Sequence, residues 1–235
     1  MTLIVGFVHE DFALLFADKK AIAKGPSKLT LGNITIESTQ GITLNGYNKS
    51  TLNSDKTAVV GIAGNAQSHT YLEAFSKSKN YNESIDVIAN FIKNFSSPLE
   101  RRFTAELEKI DIRQQAIIPF FNSDSNKFCM ARFSANEYNC ETEALSTLPT
   151  HYILRCAGSG ASGFIQLVNL PSATQVVNNF LPLPLGKGYG VAEISTLINQ
   201  FKRMYEAVSC VEETVSSEVD VWFATKECPT FELFK

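Results

Sequence analysis

Two residues near the start of the sequence carry groups that could work together. Thr2 follows Met1 directly, and Asp18 stands sixteen residues further on. Threonine is small enough for routine removal of the methionine before it, which would put a hydroxyl and a free α-amine on one residue. A threonine hydroxyl is a weak nucleophile until a base takes its proton. A free α-amine titrates near pH ~7.7–8.0, against ~10.4 for a lysine, so it can serve as a neutral base near neutrality. Asp18 would supply an acid at the end of the second strand. On residue type alone the plainer alternatives stay open: Thr often follows Met without consequence, and Asp18 serves equally as a turn cap.

Other reactive residue types form weaker patterns. Gly158-Ser159-Gly160-Ala161-Ser162-Gly163 is a literal GxGxxG between a strand-like run and a helix-like one, the form of a dinucleotide fingerprint. That motif needs an acidic residue about 20 positions on to hold the ribose. No Asp or Glu occurs from Ala144 to Ala192, which argues against a nucleotide cofactor. His9, His69 and His151 are scattered, with no HExxH, so no metal site is expected. The cysteines are Cys129, Cys140, Cys156, Cys210 and Cys228. They are odd in number and lack CxxC spacing, so reduced core thiols are expected.

Composition narrows the classes. The chain has 235 residues, 44% hydrophobic and 19% charged, with a formal net charge of −3. That is an ordinary globular balance, with no broad basic surface for nucleic acid. No apolar run approaches the length of a membrane span. The first apolar run lacks a preceding basic region, so no signal peptide is read. The expectation is a cytoplasmic protein with one domain over residues 1–235.

The elements that must position Thr2 and Asp18 follow from the apolar pattern. Leu3–Val8 and Phe12–Ala17 are two short apolar runs separated by His9-Glu10-Asp11, the pattern of a hairpin. Residues 19–26 read as a basic turn closed by Gly25-Pro26. Residues 29–36 and 41–45 read as an inserted hairpin. Ser50–Asn53 and Thr57–Ala63 read as strands, the second running into Gly64. Helices are expected after Asn65, with Ala66, Thr70, Tyr71 and Phe75 on one face, and after Asn82, with Ile85, Ile88, Ile92 and Phe95 on one face. Pro98 would interrupt the second before 99–109. Ala116–Phe121, Phe128–Phe133 and His151–Cys156 read as strands, followed by a short helix to about Leu170 and a Pro- and Gly-rich loop, 171–190. Val191, Ile194, Leu197, Ile198, Phe201, Met204, Tyr205 and Val208 define the clearest amphipathic helix. Val219–Ala224 and Phe231–Phe234 close the chain as strands. This order suggests two stacked sheets with helices on both outer faces.

Several of these stretches, in order, resemble the proteasome β subunits and their bacterial homologues, which are N-terminal nucleophile hydrolases. The resemblance rests on Thr2-Leu3-Ile4-Val5-Gly6, Leu14 to Ala21, Val59-Val60-Gly61-Ile62-Ala63-Gly64, the turn Ala157-Gly158-Ser159-Gly160 and the late helix. It implies an α+β fold, specifically a four-layer αββα sandwich. It also implies Thr2 as nucleophile with its own amine as base, and Asp18 as partner of a catalytic lysine. Lys49 is the choice for that lysine, with Lys28 as competitor because the inserted hairpin stretches the family's spacing. Gly64 matches the glycine whose N–H faces the oxyanion, and Ser159 the serine near the terminal amine. Ile62, Ala21 and Ala66 match positions lining the specificity pocket.

The chain departs from the family after the late helix. The second aspartate of the family falls near Glu212 or Glu213, and Val215-Ser216-Ser217-Glu218 stands where Ser-Gly-Gly is usual. Taken together, the resemblance implies a threonine peptidase in a homo-oligomeric double ring. Its substrates would be peptides or unfolded proteins, an ATP-dependent unfoldase would be its partner, and it would use no cofactor. The alternatives are a proteasome-like assembly subunit that does not cut and an amidase acting on small molecules.

Overall fold

A computed structural model describes residues 2–24, 27–31, 34–39, 41–64, 69–95, 115–134, 140–144, 152–172, 177 and 191–234. Met1, Gly25, Pro26, Asn65, Ala66, His151, the segment 96–114 with its expected helix, and nearly all of the loop 173–190 lie outside the described residues.

The chain folds into a mixture of helices and antiparallel sheets. The first hairpin is β1 (Ile4–His9) and β2 (Phe12–Asp18), with every residue of both strands buried. Its strands sit at the middle of a five-stranded sheet ordered β12-β1-β2-β13-β14, where β12 is Tyr152–Ala157, β13 Val219–Thr225 and β14 Glu232–Leu233. A second five-stranded sheet is ordered β11-β10-β9-β8-β7. Its strands are β7 (Ser50–Leu52), β8 (Val59–Ala63), β9 (Gln115–Asn122), β10 (Lys127–Ser134) and β11 (Cys140–Ala144).

Successive side chains of β1 point to opposite faces, and both faces are buried, which explains why β1 is apolar up to its last residue, His9. Leu3, Val5 and Phe7 join a cluster with Phe164 and the helical residues Leu197, Phe201 and Tyr205. Ile4 and Val8, on the opposite face, join a cluster with Ile117, Phe128 and Met130 of the second sheet. A third cluster sets Val60, Ile62, Ile118 and Phe120 against Leu72, Phe75, Ile88 and Phe91. The two sheets approach closely: a Cβ built at Gly61 would stand 2.5 Å from Ile4 Cγ2.

The four described helices are α1 (His69–Lys77), α2 (Tyr81–Phe95), α3 (Ala161–Val168) and α4 (Val191–Val211). In α4, Ile194, Leu197, Ile198, Phe201, Met204, Tyr205 and Val208 are all buried. Each such apolar side chain contributes ~1.5–3 kcal/mol of burial. The cap of α2 is Asn80 rather than Asn82: Glu83 N–H donates to Asn80 Oδ1 at 2.9 Å, and Lys79 N–H donates to Glu83 Oε2 at 2.7 Å. Asn82 has the right residue type, but the side chain that accepts a first-turn N–H is Asn80, three residues before Glu83, and the Glu83 carboxylate reaches back to the N–H just ahead of the cap.

Other expectations need correcting. The stretch read as a basic turn contains a strand, β3 (Lys20–Lys24), paired with β6 (Gly41–Asn45). The stretch 29–36 is not one strand: β4 (Ser27–Leu31) and β5 (Ile34–Ser38) pair with each other. The polar strand β11 was not expected, because Cys-Glu-Thr-Glu-Ala carries no apolar run. Cys129 is buried, but Cys210 and Cys228 are exposed free thiols rather than core residues.

Candidate functional site

The open end of the β1–β2 hairpin gathers Thr2, Asp18 and Lys49, with the turn that carries Ser159 beside them. Ile4 pairs with Ala17 as the last rung of the ladder, so Thr2 and Leu3 extend past it. Both are buried, Thr2 to 2% exposure. Leu3 is held by Asp18 in both directions. Its N–H donates to Asp18 Oδ1 at 2.9 Å, and its carbonyl accepts from Asp18 N–H at 3.2 Å.

Asp18 is a hub of N–H donors. Lys49 Nζ lies 2.9 Å from Oδ1 and 3.0 Å from Oδ2. Ser216 N–H donates to Oδ2 at 3.2 Å, and Lys20 N–H at 3.3 Å. Asp18 is fully buried and Lys49 is 6% exposed. Lys49 reaches this point because its carbonyl accepts the N–H of Ile62 at 2.9 Å, which seats it at the entrance to β7 beside β8. Lys28, the competing lysine, lies in β4 opposite Glu37.

Burial works against this pair. It pushes the Asp18 carboxyl above its ordinary range, and the nearby Lys49 charge, the Leu3 N–H and the Ser216 N–H pull it back. It pushes the Lys49 amine down, and the Asp18 charge pulls that back. The bonds made to Asp18 all come from donors, which suits an ionised carboxylate.

A glycine turn closes over Thr2. Gly158 has φ +95°, in the region that favours glycine, and a Cβ on it would overlap the Thr2 carbonyl. Gly160 N–H donates to the same carbonyl at 3.4 Å. Gly158 is itself held by the other sheet, since its N–H donates to Gln115 Oε1 at 2.8 Å. Between the two glycines, Ser159 Oγ lies 2.9 Å from Thr214 Oγ1. Thr214 Oγ1 donates to Glu212 Oε1 at 2.6 Å. Glu212, in the region where the resemblance left Glu212 or Glu213 open, thus reaches Ser159 through a threonine hydroxyl.

Gly64 follows β8 with φ +135°, a conformation that a residue with a Cβ rarely takes. Ile62, buried to 3%, belongs to the cluster beneath α1 and α2, and Ala21 is half-buried on β3. Ala66 lies outside the described residues. The GxGxxG run is the Thr2-facing turn and the first turn of α3; its first glycine packs on backbone within the chain.

Several contributors escaped the sequence reading. Tyr205 reads as one more apolar position of α4, although a buried tyrosine hydroxyl calls for a partner. Gln115, Thr214 and Ser216 carry no sequence signal. Among the described residues, no group of three or more His, Cys, Asp or Glu side chains converges as a metal site, and no helix is long and apolar enough to cross a membrane.

No protein-family model matches the chain, and no curated protein matches it significantly.

Proposed function

We propose that this chain is a threonine-type amide hydrolase of the N-terminal nucleophile class, similar to the proteasome β subunits, acting after removal of Met1. The observation that carries this reading is the buried Asp18 carboxylate. It binds the Lys49 ammonium and the Leu3 N–H at once, tying a cation to the peptide that follows Thr2. The fold that goes with it is the four-layer αββα sandwich. It is supported by the three apolar clusters, which set α3 and α4 on one sheet, that sheet on the other, and α1 and α2 beyond.

In this mechanism Thr2 Oγ1 attacks the carbonyl carbon of the scissile amide, and its proton passes to the Thr2 α-amine. The Lys49 charge makes the hydroxyl easier to deprotonate, and Asp18 holds Lys49 in place. The oxyanion is stabilised by the backbone N–H of Gly64. The protonated amine then delivers its proton to the leaving nitrogen, leaving an ester on Thr2. A water molecule, deprotonated by the same amine, hydrolyses that ester. Ser159, anchored by Thr214 and Glu212, orients the amine in the position of the family's second aspartate network.

The substrates assigned are peptides or unfolded chains. The assembly is a cytoplasmic homo-oligomer of two stacked rings, fed by an ATP-dependent unfoldase. Identical subunits joined head to tail close by rotation, and face-to-face stacking adds two-fold axes.

Intact mass of the purified protein shows whether Met1 is removed. Thr2→Ala is expected to abolish peptide cleavage with the fold intact, and a β-lactone is expected to add covalently to Thr2. Full activity in the alanine variant would refute the proposal. Light scattering gives the assembly: a mass near one 25.9 kDa chain at all concentrations would exclude the ring. A lactone adduct without peptide cleavage would favour the small-molecule amidase, and neither adduct nor cleavage the non-cutting subunit.

A further inference from the structure

Among the described residues, Tyr205 is the one tyrosine in the set of largest fully buried side chains, at 0% exposure in α4. Its ring stacks on Phe16 and meets Phe164 edge-on, which accounts for the ring but not for the hydroxyl. Burying a hydroxyl costs free energy unless it is bonded, and a phenylalanine would fill the same space without that cost. The hydroxyl oxygen lies within hydrogen-bond distance of two backbone carbonyls, Leu3 O at 3.2 Å and Phe16 O at 3.1 Å, between which its single proton is shared. Leu3 follows Thr2, and Phe16 lies two residues before Asp18. The bond therefore bridges the two strands of the hairpin where its ladder ends.

That is where a chain start would fray. Past the Ile4–Ala17 rung, residues at a terminus are poorly ordered unless tied down. The Leu3 peptide is tied from two elements: Asp18 in β2 takes its N–H and donates to its carbonyl, and Tyr205 in α4 donates to the same carbonyl. Burial first, then the Asp18 charge, pushes the hydroxyl well above its ordinary range against the pull of a Val5 backbone hydrogen bond, so it keeps its proton.

We propose that Tyr205 is a positioning residue for the Thr2 nucleophile, its hydroxyl fixing the Leu3 carbonyl so that Thr2 is held at a single orientation beside Asp18 and Gly158. This rests on the reading of Thr2 as nucleophile and assigns a role to a residue outside the candidate set. A misplacement of about 1 Å at a reacting group can cost ~10²-fold in rate, so losing one of several ties is expected to cost ~10-fold.

The test compares Tyr205→Phe, which keeps the ring, with Phe201→Leu, which disturbs packing on the same helix but removes no hydrogen bond to Leu3. Two quantities are read: the kcat and KM of peptide cleavage, and amide hydrogen exchange at Leu3 against Phe7. Tyr205→Phe is expected to lower kcat about ten-fold with KM changed less than two-fold. It is also expected to speed exchange at Leu3 about ten-fold while leaving Phe7 unchanged, and Phe201→Leu to show neither pattern. Unchanged kcat, unchanged Leu3 exchange, effects matching those of Phe201→Leu, or loss of the fold in Tyr205→Phe would each overturn the assignment. If the wild type cleaves nothing, the hydrolase reading fails on its own, and Leu3 exchange still decides whether Tyr205 fixes this peptide.

Discussion

Leu3 and Asp18 hold each other by a reciprocal pair of hydrogen bonds, the Leu3 N–H to the Asp18 carboxylate and the Asp18 N–H to the Leu3 carbonyl. The same carboxylate binds Lys49. The backbone beside Thr2 and the buried cation are therefore one rigid unit, and disturbing either should be felt by the other.

Removing the cation alone should be severe. Lys49→Met leaves the Asp18 charge buried without its ammonium, which costs ~3–5 kcal/mol. Replacing both members, Asp18→Asn with Lys49→Met, should recover most of that stability while activity stays lost. A urea-denaturation double-mutant cycle measures the coupling, and a double variant as unstable as the single one would contradict it.

The pH dependence of this pair has a definite sign. The Asp18 carboxyl is raised above its ordinary 3.8, so its stabilising contribution is complete below 3.8 and is lost as pH rises through the raised value. The Lys49 amine is lowered from its ordinary 10.5, so its contribution is complete above 10.5 and is lost as pH falls through the lowered value. Between the two windows the charged pair is maintained at a cost. The stability of the wild type minus that of the Asp18→Asn/Lys49→Met variant should be lowest near neutrality and rise towards both ends. A maximum near pH 7 in a urea-denaturation series would contradict this.

Gly158 should tolerate no side chain. Alanine there meets both the φ of +95° and the Thr2 carbonyl. The backbone strain alone costs ~1–3 kcal/mol, and the displacement of Thr2 should lower cleavage at least ~10²-fold. Thermal unfolding and a peptidase assay check this; a Gly158→Ala enzyme as active as wild type would show that Thr2 does not depend on this contact.

Specificity should be apolar. Ile62 and Ala21, two of the three residues assigned to the pocket, carry no charge, and a charged substrate group buried against them would lose its solvation without a partner. In a panel of fluorogenic peptides, cleavage should be fastest after large apolar residues. Preference for Arg or Asp before the cut would contradict the assignment.

The sequence determined the local frame on its own terms. Short continuous apolar runs place the first hairpin, β8, β9 and β10, and the 3.6-residue period places α4, because apolar surface must be buried whatever lies against it. The same logic failed where burial was not the signal. The Lys20–Lys24 strand reads as a basic turn, and the Cys140–Ala144 strand has too few apolar residues to register. Tertiary structure decided how the residues named from the sequence meet, and which others join them. Which lysine meets Asp18 depends on the path from the inserted strands to Ile62, since Lys28 and Lys49 differ little in residue type or local context. Gln115 comes from β9, Tyr205 from α4, and Thr214 and Ser216 from the turn after it, and each acts through individual hydrogen bonds. Such a bond leaves no periodic trace in sequence, because it needs one atom at one distance rather than a face.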